Sequence, residues 1–304
     1  MKIDVRMYLV APLFFFAASL SIALLASGES MAEDDTRSAS ADEIAAQLAN
    51  PNASLGFLAF PIDYVSYKGT LPQANNQSAW KLSFQPSFPY AINESTNLFV
   101  RPLIPLFIDQ PVPAAGGVSV LPQGSDVGTA GFDSTGLQLG DISFDVALGK
   151  SLSSGTILVG GVVGTLPTAS DDSVGLDQYL LGPEVLLGQQ FTWGFAGLLL
   201  THQWDVAGED SFNTSITGGQ YFYTINLKNA WQIQATPTFA YNHEAESGNR
   251  LTLPLGIGLS KTLLFGETPW KFSLQYWQYI EQPDNFGPDF QIRFQVAPVV
   301  PLPW

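Results

Sequence analysis

The chain has 304 residues, carries 12 Lys and Arg against 27 Asp and Glu for a formal charge of −15, and contains no cysteine. Such acidity excludes a nucleic-acid-binding role, which needs a basic footprint, and the missing cysteine excludes disulfides, thiolate metal sites, a cysteine nucleophile and a lipidated cysteine. Only 13% of residues are charged and 12% are aromatic, so a single large domain is expected with much of its surface facing something other than water.

Lys2 and Arg6 precede an apolar run from Tyr8 to Leu25, broken only by Ser19 and Ser21 and followed by Ala26-Ser27-Gly28. A basic head, an apolar middle and a small-residue exit define a secretory signal peptide over residues 1–28, with cleavage as late as residue 32. A retained helical anchor is the rival reading; Pro12 and the small exit residues favour cleavage. Export removes Lys2, Arg6 and Asp4, so the mature chain is one unit more acidic.

Residues 29–52 form an acidic leader. Within it, Ser40-Ala-Asp-Glu43 is a capping box ahead of Ile44, Ala45 and Leu48, which predicts a short helix that Asn50-Pro51 stops. It is either loosely tethered in the periplasm or a plug entering a barrel from below.

From residue 53 to 304 the chain reads as twelve strands of alternating character. They are Leu55–Lys68, Trp80–Tyr90, Asn97–Ile108, Leu137–Lys150, Thr156–Leu166, Tyr179–Leu187, Thr192–Val206, Phe212–Leu227, Trp231–Asn242, Leu251–Leu264, Trp270–Ile280 and Phe290–Trp304. In the second, Trp80, Leu82, Phe84 and Phe88 oppose Lys81, Ser83, Gln85 and Ser87; in the fourth, Ile142, Phe144, Val146 and Leu148 oppose Asp141, Ser143 and Asp145. The seventh is apolar on both faces near Ala196–Leu200 and gives no register. In the last, Phe290, Ile292, Phe294 and Trp304 lie on one greasy face and form the assembly signal, with Arg293 and Gln295 opposite. Strands of this length and alternation fit an all-β, antiparallel up-and-down transmembrane β-barrel. An even count returns both ends to one side.

The connections alternate in length. Those near 91–94, 151–155, 188–191, 228–230 and 265–269 are tight, whereas the intervening ones are longer and hold most of the acid, including Asp171, Asp172, Glu209 and Asp210. Tight turns belong to the periplasmic side and long loops to the exterior.

A charge in a barrel wall is tolerated only toward a wet or paired interior, since one facing lipid near midplane costs roughly 2–4 kcal/mol. Lys81, Arg101, Asp141, Asp145, Glu184, Lys271, Arg293 and Gln295 are therefore placed inward. They line a solute path or form an ion-pair network that stiffens the wall. Twelve strands fall between a filled eight-stranded barrel and an open sixteen-stranded one, so a narrow, obstructed pore is expected.

His202 and His243 lack the spaced partners of a zinc site, so no metal and no cofactor are expected. The loop acids Asp171-Asp172 and Glu209-Asp210 are either solvated or a calcium or lipopolysaccharide contact.

Four stretches, Leu48-Ala-Asn-Pro51, Leu166-Pro-Thr-Ala-Ser-Asp-Asp172, His202-Gln-Trp-Asp-Val-Ala-Gly208 and Gly287-Pro-Asp-Phe-Gln-Ile-Arg-Phe294, occur in an order that resembles the family named for the MetA pathway of phenol degradation. The resemblance runs from about residue 46 to the end. It implies an outer-membrane barrel, often labelled a transporter, and points to aromatic compounds without naming a solute. The chain departs from the pattern by ending Pro301-Leu-Pro-Trp304 rather than on phenylalanine, and its loop Gln110–Gly136 does not fit.

The resulting expectation is a non-enzymatic channel for passive or facilitated diffusion of small solutes, with aromatic ones as candidates, across a bacterial outer membrane. Its partners would be membrane lipid and lipopolysaccharide, the barrel-assembly machinery and the solute. The alternatives are a structural or adhesive barrel with a closed lumen, an outer-membrane hydrolase, for which no Gly-x-Ser-x-Gly elbow is present, and a secreted soluble β protein.

Overall fold

The computed structural model describes residues 41–113 and 131–302. The signal peptide, the leader up to residue 40 and Trp304 lie outside the described residues.

The wall consists of twelve antiparallel staves: β1 (Gly56–Lys68), β2 (Ser78–Ser87, continued by Tyr90–Asn93), β3 (Thr96–Asp109), β4 (Ile142–Ser151), β5 (Thr156–Leu166), β6 (Gln178–Phe191), β7 (Gly194–Gly208), β8 (Ser215–Asn226), β9 (Trp231–Ala235 and Thr238–Asn242), β10 (Leu251–Phe265), β11 (Thr268–Glu281) and β12 (Gly287–Val300). Each pairs with its sequence neighbour, and β12 pairs with β1 from Gly56↔Val300 to Lys68↔Gly287, so the cylinder is closed. Closure leaves no stave without a neighbour on either side, a requirement where no water is available to the backbone.

The alternation inferred from the sequence is the alternation of the wall. On β6, Gln178, Leu180, Glu184 and Leu186 are buried while Tyr179, Leu181, Val185 and Leu187 are exposed. Outward residues around the girth include Val185 at 56%, Leu255 at 57%, Ile257 at 60% and Leu274 at 56% exposure. A continuous apolar band of this kind is unfavourable in water and matches acyl chains. Aromatics mark its edges, with Trp80, Tyr179 and Trp204 toward the long loops and Tyr90, Trp193 and Trp231 toward the short turns.

β7, whose register was illegible, turns Leu198, Leu200 and Trp204 outward and Phe195 inward. Phe195 is fully buried against Ile157, Val159 and Leu186. Gly188 makes room for its ring, because a Cβ there would come within 2.3 Å of it.

β9 is not the continuous strand expected over Trp231–Asn242. Its ladder to β10 runs from Trp231↔Lys261 to Ile233↔Leu259 and resumes at Ala240↔Thr252, leaving Gln234–Phe239 and Leu253–Gly258 unpaired at unchanged register. Pro237 and Pro254 both fall in this seam and cannot donate. From the outer face of β8, the Tyr221 hydroxyl donates to Pro254 O at 3.0 Å and accepts from Gly256 N at 3.1 Å, and the Tyr223 hydroxyl donates to Gly256 O at 3.0 Å. Two phenols thus replace part of the missing ladder.

Residues 41–48 are helical, and the helix crosses the mouth at the short-turn end. Ala41 and Ala45 pack on Ala230 and Leu264, Ala230 N donates to Asp42 Oδ1, and Gln232 Nε2 donates to Ala45 O at 2.9 Å. Past Pro51, Asn52 is buried and its Nδ2 donates to Ser151 Oγ at 2.7 Å, while Asn97 Nδ2 donates to Asn52 O at 2.8 Å. The first anchor is on the β8–β9 turn and the second on β3 and β4, about half the circumference away. Neither expected placement, a loosely tethered helix or a plug entering the barrel, describes the segment fully: it is a floor strapped across the mouth and tethered at both ends.

Candidate functional site: the lumen

The interior charges meet because strand register places them face to face. Asp63 on β1 is the cross-strand partner of Arg293 on β12 and of Lys81 on β2. Arg293 donates from Nε and Nη2 to the two Asp63 oxygens at 2.6 and 2.8 Å, Lys81 Nζ stands 3.7 Å away, and the guanidinium lies 4.5 Å over the Trp277 ring. Asp63 is fully buried. A carboxylate so far from water is stable only with such partners.

A second pair forms on β3 and β4, where Arg101 Nε donates to both Asp145 oxygens at 3.0 and 2.9 Å. Glu184 is buried on β6, with its Oε1 lacking a hydrogen-bond partner among the described residues. Lys271 on β11 faces Thr262 and Ala297, and Gln295 faces Ser273.

Asp141 behaves differently from the others. It sits at the long-loop rim and accepts from the backbone amides of Thr168, Ala169 and Leu176 at 3.0, 3.0 and 2.8 Å, which anchors the β5–β6 loop. Three loop amides take up its carboxylate, so it anchors a loop at the rim and does not border the cavity among the described residues.

Between the ion pairs and the N-terminal floor lies a cavity of about 240 Å³. Arg101, Lys271, Arg293 and Gln295 line it together with Phe99, Leu186, Leu199 and Phe222, and Leu48 to Pro51 close it below. Its polar wall is pre-ordered: Gln275 Oε1 accepts from Thr236 N at 2.9 Å and Trp277 Nε1 at 3.0 Å, and Gln220 Nε2 donates to Thr236 O at 3.0 Å. At the long-loop end Tyr67, Phe132 and Phe286 stack with ring centroids 4.6 Å apart in each pair with Phe286, and Leu71 and Ala74 pack beneath them.

Sequence reasoning missed Asp63. The signal was there, since an acid between Ile62 and Tyr64 on a strand must point inward and must have a cation opposite.

The loop acids are bound locally. Asp171 caps the turn Asp172–Val174 through Ser173 N, and the Ser173 hydroxyl and amide hold its carboxyl below the ordinary range. The Ser211 amide does the same for Glu209 at 2.7 Å. No group of three or more potential metal ligands occurs among the described residues.

The two histidines share Thr217, whose Oγ1 lies 2.8 Å from His202 Nδ1 and 2.8 Å from His243 Nε2, at the outer rim beside Trp204 and Tyr241. Ser215 Oγ is 3.5 Å from His202 Nε2, beyond the reach of a working nucleophile–base pair. Among the described residues no carboxylate bonds to either imidazole.

No family model matches the chain. No curated protein matches it either. Among solved structures, an outer membrane channel from Pseudomonas putida F1 superposes with a TM-score of 0.55 at 14% identity, covering 81% of this chain and 94% of that one. The NanC porin follows at a TM-score of 0.48 and 9% identity, covering 81% and 100%, and the P. putida toluene transporter TodX at 0.39 and 11%, covering 83% and 91%. The first is a likeness of fold.

Proposed function

We infer that this chain, an outer-membrane β-barrel with a floored lumen, is a passive channel for small solutes, aromatic ones included. The observation that carries the reading is the cavity of about 240 Å³ inside a wall that also holds ion pairs. A barrel built only for rigidity would fill that space with side chains, as eight-stranded barrels do. A cavity of about 150 Å³ already accommodates benzene, so a single ring fits here. The resemblance to the MetA-pathway family and the channel named in the P. putida F1 structure point the same way.

Selectivity would come from bore and interior charge, and the driving force from the concentration gradient. No covalent step is assigned to any residue. In planar bilayers, purified protein should pass small ions, and removal of residues 29–50 should raise the current. Silence in both forms would leave a structural barrel.

A further inference from the structure

Among the described residues, three cations and no carboxylate border the cavity, in a chain whose formal charge is −15. Two of the three are already answered, Arg293 by Asp63 and Arg101 by Asp145. Lys271 has neither a salt bridge nor a hydrogen bond among the described residues. Its cross-strand neighbours are Thr262 and Ala297, neither able to neutralise it. Gln295, two residues from Ala297 on the adjoining stave, is a diagonal neighbour of Lys271 on the same face, the two positions about 7–8 Å apart, and it also borders the cavity. Across the lumen, on β6 to β8, Leu186, Leu199 and Phe222 form an apolar patch that Gln220 and Thr224 of β8 flank. One side of the space is therefore cationic and amide-rich, and the other carries that patch.

Resting on the channel reading above, we propose that this cavity binds a small carboxylate with a ring-sized apolar body. The carboxylate sits on Lys271 Nζ with the Gln295 amide beside it, and the ring lies against Leu186, Leu199 and Phe222. A confined ammonium without a counter-charge is costly, and an entering anion removes that cost while making a charge-assisted hydrogen bond. A neutral hydrocarbon leaves the ammonium unanswered. An amine is repelled by it.

Equilibrium dialysis of labelled benzoate against the purified full chain in detergent tests the site, with acetate, nicotinamide and benzylamine as comparison probes. Benzoate should bind best, and Lys271→Gln should weaken it by about tenfold, the worth of one hydrogen bond to a charged group. Lys271→Arg should retain benzoate, and nicotinamide should be indifferent to both changes. Retained heat-modifiable migration on gels identifies a folded Gln variant. Equal benzoate binding by wild type and Lys271→Gln overturns the proposal, as does acetate binding as tightly as benzoate. Liposome swelling separates the two readings. Nicotinamide entry without Lys271-dependent benzoate binding removes the site and spares the channel; Lys271-dependent binding with no solute entry removes the channel and spares the site.

Discussion

Arg293 and Asp63 are 230 residues apart in sequence and form a two-point ion pair across the join between the last stave and the first. A buried two-point ion pair of the lumen thus lies on the line along which the cylinder closes. Lys81 extends it to the second stave, so three consecutive staves share one buried carboxylate.

Removing that carboxylate should cost more than removing either cation. Asp63→Ala leaves two cations facing each other in the interior, for an expected loss of roughly 3–5 kcal/mol, whereas Arg293→Met leaves Lys81 to answer Asp63. Denaturant unfolding in micelles checks the order. Equal losses would mean that Asp63 is effectively hydrated.

The two faces of β12 should respond oppositely to the same new charge. Phe294 is 41% exposed on the outside while Gln295 borders the cavity. Phe294→Arg should lower the yield of folded barrel sharply, since an arginine toward lipid costs roughly 2–4 kcal/mol near midplane. Gln295→Arg should fold and change ion selectivity instead. Similar yields would put the register of β12 in error.

Tyr221→Phe deletes the hydroxyl that serves Pro254 O and Gly256 N in the β9–β10 seam. Leaving such groups unsatisfied costs about 1–3 kcal/mol. Amide exchange on β10 over Leu253–Gly258 should quicken while exchange on β5 and β6 stays slow. A uniform change over all staves would argue that the phenol has no local role.

The Asp171 cap should be sensitive to acid. Its carboxyl is held below the ordinary value of about 3.9 by Ser173. Its contribution to loop order is therefore complete above that value and is lost as pH falls through the lower, folded-state value. The protection factor of the Ser173 amide, its exchange measured by NMR against the intrinsic rate at each pH, should fall across that range in the wild type. Asp171→Ala should lack that protection at every pH.

The barrel was legible because its cause is local. Each stave reports its own two faces, and the tight turns and long loops repeat without exception, so residues such as Phe290, Ile292 and Phe294 announce their side unaided. What escaped depends on non-neighbouring staves. β7 is greasy on both faces because Phe195 packs inside the lumen on Ile157 and Val159 of β5 and Ala147 of β4, two and three staves away, which period alone cannot separate from a lipid-facing row. Pro237 was visible, but its effect needs Pro254 on the next stave and two tyrosines on the previous one. Asp141 was placed on the interior side by alternation, but it lies where the stave gives way to loop, and amides arriving from residues 168–176 decide its use.

The floor is the first part of the described chain in sequence, yet its anchors belong to opposite sides of the ring. Ala230 and Gln232 hold one end, and Ser151 and Asn97 the other. The wall joins those two anchors the long way round, through β4 to β8, and the segment joins them directly, as a chord joins two points of an arc.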